Sequence, residues 1–191
     1  MESALIPEPG HLVPHVYNRI DAVREWDDAD RPQRRQDHQQ RLVVHRCSLG
    51  PEAADIARAY CTDPSLAAVS RRQMPYTFVI RRCGMMEQAL RALDVTPHGV
   101  AFGFPGIGVA LIGDFRTEAP TSLQWHSLLV LCHVFSGWLK GAESIMGHDG
   151  FPVSREEHVV DCPGQYLDIR RLWDEVQRAN LARVKCCGVA F

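Results

Sequence analysis

The stretch Ile107 to Phe115, IGVALIGDF, is apolar at odd and even positions alike. A strand built from it is covered on both faces, so it predicts the centre of a sheet lying between two layers of helices. Further strand signals surround it. The β-branched run Leu42-Val43-Val44 predicts a short buried strand that delivers His45 at its end. Tyr76 to Ile80 reads as another strand, and Cys83-Gly84 as the turn of a hairpin leading into Met85-Met86-Glu87. Ser144 to Gly147 is a short strand or strand end carrying His148.

Helical patterns alternate with these strands. Pro51 at a first helical position, followed by Ala53, Ala54, Ile56, Ala57 and Tyr60, predicts a helix from about 51 to 61. A cap at Thr121 or Ser122 opens a second helix, in which Trp125, Leu128, Leu129, Cys132, Phe135, Trp138 and Leu139 repeat with helical period. A last helix is expected from Leu167 to Ala179. The fold class implied is α/β, a mixed central β-sheet flanked by helices in one domain.

With 191 residues and 46% hydrophobic content, the chain can bury one good core. Residues 1–40 contain Pro7, Pro9, Pro14 and Pro32 and end in the polar run Asp27 to Gln40. That composition predicts an extension or linker outside the packed core, followed by a domain over 41–180 and a tail over 181–191. The 21 basic and 23 acidic residues give a net charge of −2, spread evenly, which argues against nucleic acid or an anionic membrane as partner. No basic segment followed by an unbroken apolar stretch opens the chain, and no apolar run reaches the roughly 18 residues of a membrane span. The expectation is a protein without signal peptide or membrane anchor, cytoplasmic at synthesis. Seven cysteines, an odd number, are then read as reduced thiols, of which one or more can bind metal.

The most specific local features are Gly147-His148-Asp149 and Asp161-Cys162-Pro163-Gly164. A histidine after a glycine turn and a thiol pinned by Pro-Gly can lie side by side on adjoining loops. Zinc takes imidazole and thiolate ligands in a tetrahedral site, and His45 at a strand end is placed to be a third. Spacing alone does not select these three from nine histidines and seven cysteines. A hydrogen-bonded loop histidine and a small buried cysteine stand as the plainer alternative.

Taken together, the segments are more specific. VVHRCS at 43–48, MPYTFVIRRCG at 74–84, VTPHGV at 95–100, GIGVALIGDF at 106–115, MGHDG at 146–150 and DCPG at 161–164 follow one another in an order. Over Leu42 to about Trp173 that order resembles the zinc-dependent N-acetylmuramoyl-L-alanine amidases shared by phage endolysins and peptidoglycan-recognition proteins. The resemblance implies that His45, His148 and Cys162 hold a zinc ion, with Cys162 as thiolate, and that the metal activates a water and polarises the scissile carbonyl. It further implies that Tyr76 is the active-site tyrosine, hydrogen-bonding the attacking water or the developing oxyanion. Thr77 and His98 are implied as substrate contacts in the cleft. The substrate implied is peptidoglycan or a muropeptide, cut at the amide between N-acetylmuramic acid and L-alanine. A phage endolysin released to the cell wall and a cytosolic recycling enzyme both suit that chemistry.

Two departures stand out. Where the family carries Lys or Thr two residues before the cysteine, this chain has Val160, which offers no donor; His158 or Arg155 is a candidate substitute. The family's Gly-His-Arg-Asp is here Gly-His-Asp-Gly, with a loop expected over 150–160. Glu156 and Glu157 read as a solvated loop face. Gly103, Gly106, Gly108 and Gly113 do not form a nucleotide loop, since they do not follow a strand and open a helix. His126 and His133, seven apart on one helix, read as surface or packing residues. Two rivals stay open: a peptidoglycan-binding protein that does not cut, and a purely structural zinc.

Overall fold

The computed structural model describes residues 16–26, 41–66, 72–92, 94–96, 106–135, 144–150 and 161–187, with side chains as far as 180. The elements run β1 (Val16–Asn18), α1 (Ile20–Arg24), β2 (Leu42–Cys47), α2 (Ala53–Thr62), β3 (Phe78–Ile80), β4 (Met86–Gln88), β5 (Ile107–Ile112), α3 (Ser122–Val134), β6 (Ile145–Gly147) and α4 (Ile169–Cys187). The strands form one sheet in the order β1-β4-β3-β5-β2-β6, parallel throughout except for the β3–β4 hairpin.

The apolar segment from Ile107 supplies β5, which lies between β3 and β2 as its double-sided pattern predicts. Leu42, Val44, Phe78, Ile80, Val109 and Leu111 face one layer, closed by Leu128, Leu131 and Cys132 of α3 and Leu172 and Val176 of α4. On the opposite side Cys47, Val79 and Ala110 meet Ala53, Ile56 and Ala57 of α2 and Val23 of α1. Helices thus cover both faces.

Local chemistry sets the element ends. Thr121 caps α3, its side chain accepting from the Gln124 N–H while the Gln124 side chain accepts from the Thr121 N–H, a reciprocal capping box. The same Gln124, fully buried, donates to the Ile112 carbonyl at 2.9 Å, so the helix start is tied to the end of β5. Gly84, at φ +82°, makes the tight turn between β3 and β4. Helix α2 begins at Ala53 with Glu52 as its N-cap residue, so Pro51 stands just outside the helix.

Two readings of the sequence differ from the structure. The proline-rich, polar composition of the first 40 residues predicts no packed element, yet β1 adds to the sheet parallel to β4 and Val23 of α1 is fully buried. Its anchor is Glu87, a buried carboxylate on β4 that accepts from Arg19 Nε at 3.1 Å, Arg81 Nη2 at 2.5 Å and the Ala53 N–H of α2 at 2.8 Å. Composition averaged over 40 residues hides a single arginine placed to meet a buried acid. The last helix continues past Ala179 to Cys187, so 181–187 is helical where a tail is expected. Asp168 starts it, accepting from the Arg171 N–H at 2.9 Å.

Candidate metal centre

His45 is the fourth residue of β2 and shares a face with Val43 and Cys47, the face on which α1 and α2 pack. It is 2% exposed. Its register partner on β5 is Ala110, whose methyl leaves room for an imidazole. On the other side, β2 and β6 pair Val44 with Gly147, so the residues that follow, His45 and His148, arrive level with one another. Their ring centroids are 4.6 Å apart, inclined at 50°.

Cys162 comes from the loop before α4, and its Sγ lies 3.8 Å from His45 Nδ1. Several contacts hold that loop in place. The Asp149 N–H, one residue past His148, donates to the Cys162 carbonyl at 2.8 Å. Arg46 Nε donates to the Asp161 carbonyl at 3.0 Å, and its Nη1 lies 3.6 Å from Asp114. Gly147 is where the two ligand loops come closest: a Cβ there would sit 2.5 Å from both Asp149 Oδ1 and Pro163 Cδ. Gly164, at φ +105°, lets the chain pass over the Phe115 carbonyl, which a Cβ would approach to 2.5 Å from its carbon.

The ligand atoms of His45, His148 and Cys162 all lie within 4.8 Å of one another. Zinc bonds of about 2.0–2.3 Å in tetrahedral geometry put neighbouring ligand atoms about 3.3–3.8 Å apart. The His45–Cys162 pair is already at that separation, and the set closes on an ion with movements of about 1 Å. Two imidazoles and a thiol are also the chemistry zinc prefers, so the residues present fit it. Among the described residues this is the sole group of three or more such ligands.

Burial governs the protonation of the cluster. It pushes the Cys162 thiol up to about 11, opposed by the Arg46 backbone N–H directed at the sulfur, and it lowers the His148 pKa. Cys162 is therefore a thiol in the metal-free protein at neutral pH, burial disfavours a charge on His148, and an incoming metal ion displaces the thiol proton.

Tyr76 precedes β3, and its ring centroid is 5.1 Å from that of His45. It is buried, and burial raises its pKa well above the usual tyrosine range, so the phenol stays protonated. Thr77 is 1% exposed, with its N–H donating to the Gly108 carbonyl at 2.8 Å and its carbonyl accepting from the Ala89 N–H at 2.9 Å. His98, His158, Arg155, Glu156, Glu157 and Val160 lie outside the described residues. His133 stands apart from the cluster, its Nδ1 3.2 Å from Asn180 Oδ1 on α4. Sequence reasoning passes over Arg46 and Asp114, which fasten the Cys162 loop, and takes Tyr60 only as part of a helical face. Arg46 meets Asp161 at 115 positions' distance and Tyr60 meets Tyr76 at 16, so neither contact has a local pattern, and only Arg46, beside a ligand candidate, offered any local signal.

An α/β domain with two imidazoles and a thiol gathered on one face of its sheet defines the class: a protein with a ligand set suited to a metal ion beside a buried tyrosine. No family model matches the chain. It is 27% identical over 130 residues to human N-acetylmuramoyl-L-alanine amidase, covering 59% of this chain and 22% of that protein. To peptidoglycan-recognition protein LB of Drosophila melanogaster it is 30% identical over 94 residues, covering 48% and 38%. The chain thus spans well under half the length of these relatives. In structure it resembles the endolysin amidase LysCS of Clostridium intestinale, with a TM-score of 0.61 at 16% identity over 86% of this chain and 96% of that one. The Drosophila recognition protein LB superposes with a TM-score of 0.58 at 18% identity, over 86% and 94%. The chain is thus similar in sequence to an N-acetylmuramoyl-L-alanine amidase and to a peptidoglycan-recognition protein, and it shares the fold of solved structures of both kinds.

Proposed function

We propose that this protein is a zinc hydrolase that cleaves the amide between the lactyl group of N-acetylmuramic acid and L-alanine in peptidoglycan or a muropeptide. The observation that carries the reading is the convergence of His45, His148 and Cys162 within 4.8 Å beside Tyr76, in a chain whose relatives include amidases by name. Three protein ligands leave a tetrahedral ion one position open among the described residues, as hydrolysis requires of a catalytic site. A zinc ion held there supplies Lewis-acid polarisation of the carbonyl and an activated water.

The protein's own residues do the rest. His45 and His148 offer neutral nitrogens, and Cys162 gives up its proton to become the anionic ligand. Tyr76, protonated at working pH, donates its hydroxyl to the oxygen that gains charge as water adds to the carbonyl carbon. The C–N bond then breaks as the leaving nitrogen takes up the proton given up by the adding water, so that the lactyl carbon keeps the hydroxyl as a carboxyl group and L-alanine leaves with a free amino group. His98 is assigned to the substrate side of the cleft and His158 to the donor role that Val160 leaves empty, whereas Thr77, 1% exposed, is held inside the fold rather than offered to a substrate.

Val160 is also the feature that favours a second reading, a domain that binds peptidoglycan without cutting it. Mass spectrometry of fragments released from purified peptidoglycan separates the two. Stem peptides with a free L-alanine amino group, lost with a zinc chelator and in Cys162→Ala, are the expected products. An intact polymer that retains the protein would instead establish the binding reading.

A further inference from the structure

Tyr76 does not stand alone. Tyr60, from the second half of α2, brings its hydroxyl oxygen to 3.1 Å from that of Tyr76, and the two rings meet edge to face at 6.0 Å and 84°. A line of contacts therefore runs from α2 through Tyr60 and Tyr76 to the His45 ring. The start of α2 is itself fixed: its first N–H is held by Glu87 at 2.8 Å, and Glu52 is paired with Arg81 at 2.5 Å. Tyr60 is thus presented to Tyr76 from a firm support. Burial raises both phenols, Tyr60 to about 12, so the pair carries two protons at any working pH.

Two neutral hydroxyls that share one hydrogen bond must choose which of them donates. If Tyr76 donates to Tyr60, its proton is turned away from the cluster. If Tyr60 donates to the Tyr76 oxygen, the Tyr76 proton is left to point at a charge developing beside His45. The second arrangement also strengthens Tyr76 as a donor, because a hydroxyl that accepts one hydrogen bond gives a better one. We propose that Tyr60 is a positioning residue for Tyr76: its O–H donates to the Tyr76 oxygen and orients the Tyr76 proton towards the reacting carbonyl. The reaction itself is taken from the amidase reading, whereas the hydrogen bond is a property of the chain.

The test is Tyr60→Phe, which keeps the ring and removes the donor. The chain has four tyrosines, so labelling with tyrosine carrying 13C at Cζ gives a countable spectrum, in which Tyr76→Phe identifies the Tyr76 signal. In metal-free protein the Tyr76 resonance shifts in Tyr60→Phe. With zinc bound, kcat falls about three- to tenfold, the factor for one hydrogen bond of ordinary strength, while KM and zinc content are unchanged. Adding Tyr60→Phe to Tyr76→Phe costs no further activity. Ile56→Val, which thins the buried face of the same helix away from the tyrosines, controls for a loosened α2 and leaves kcat unchanged. An unmoved Tyr76 resonance, an unchanged kcat, or an equal loss in the Tyr76→Phe background would each overturn the proposal. If the wild-type protein releases no amino groups, it is the amidase reading that falls, and the metal-free resonance alone decides the tyrosine pair.

Discussion

Arg46 follows His45 in the chain, yet its guanidinium works on the third ligand, holding the Asp161 carbonyl at 3.0 Å and standing 3.6 Å from the Asp114 carboxylate. Arg116 beside Asp114, with Arg46 adding to it, holds that carboxyl down at about 2. A carboxyl whose folded pKa lies below its unfolded value contributes stability above the unfolded value near 3.9, and that contribution is lost as pH falls through the folded one. Asp114→Asn should therefore lower the melting temperature at pH 5–7, with the difference from wild type narrowing as pH falls from 4 towards 2, checked by thermal melts across that range. Gly147 offers a steric test. Its Cβ would collide with Asp149 and Pro163, so Gly147→Ala is expected to prise the His148 and Cys162 loops apart and weaken zinc binding about ten- to hundredfold, measured by competition with a chromophoric chelator. The sequence marks Gly147 as a turn. That its missing side chain makes room for Pro163 becomes visible only once the two loops meet.

Glu87 shows the same division at the level of elements. The hairpin signal at Cys83-Gly84 and the helical pattern from Ala53 are both legible, because turn chemistry and periodicity are local. What joins them is not local: one buried carboxylate gathers Arg19 before α1, Arg81 after β3 and the first N–H of α2. Glu87→Gln keeps the shape and removes the charge that these groups share. The expected loss is roughly 1–3 kcal/mol by chemical denaturation, with β1 and α1 becoming the segments most open to proteolysis. The reading of residues 1–40 as an unpacked extension fails at β1 and α1 for this reason, since a three-residue edge strand has too little pattern to stand out from proline-rich, polar surroundings.

At the scale of the whole molecule, the apolar layers on both faces of the sheet form without any contribution from His45, His148 or Cys162. The protein is accordingly expected to stay folded when a chelator removes metal, judged by circular dichroism, and to gain about 2.7 kcal/mol of stability at zinc concentrations a hundredfold above Kd. Outright unfolding on chelation would mean that the metal is structural. Legible in the sequence were the double-covered central strand, a helix cap at Thr121 or Ser122, the alternation of helices and strands, and three ligand candidates named through the order of family motifs. These follow from periodicity and from side-chain chemistry read within a few residues. Only the tertiary structure decided that His45 and His148 stand level, that Cys162 is drawn to them by Arg46 and Asp149, and that Tyr60 reaches Tyr76. Strand register and loop closure are set by contacts between residues up to 117 positions apart, and no local pattern in the chain encodes the distance between them.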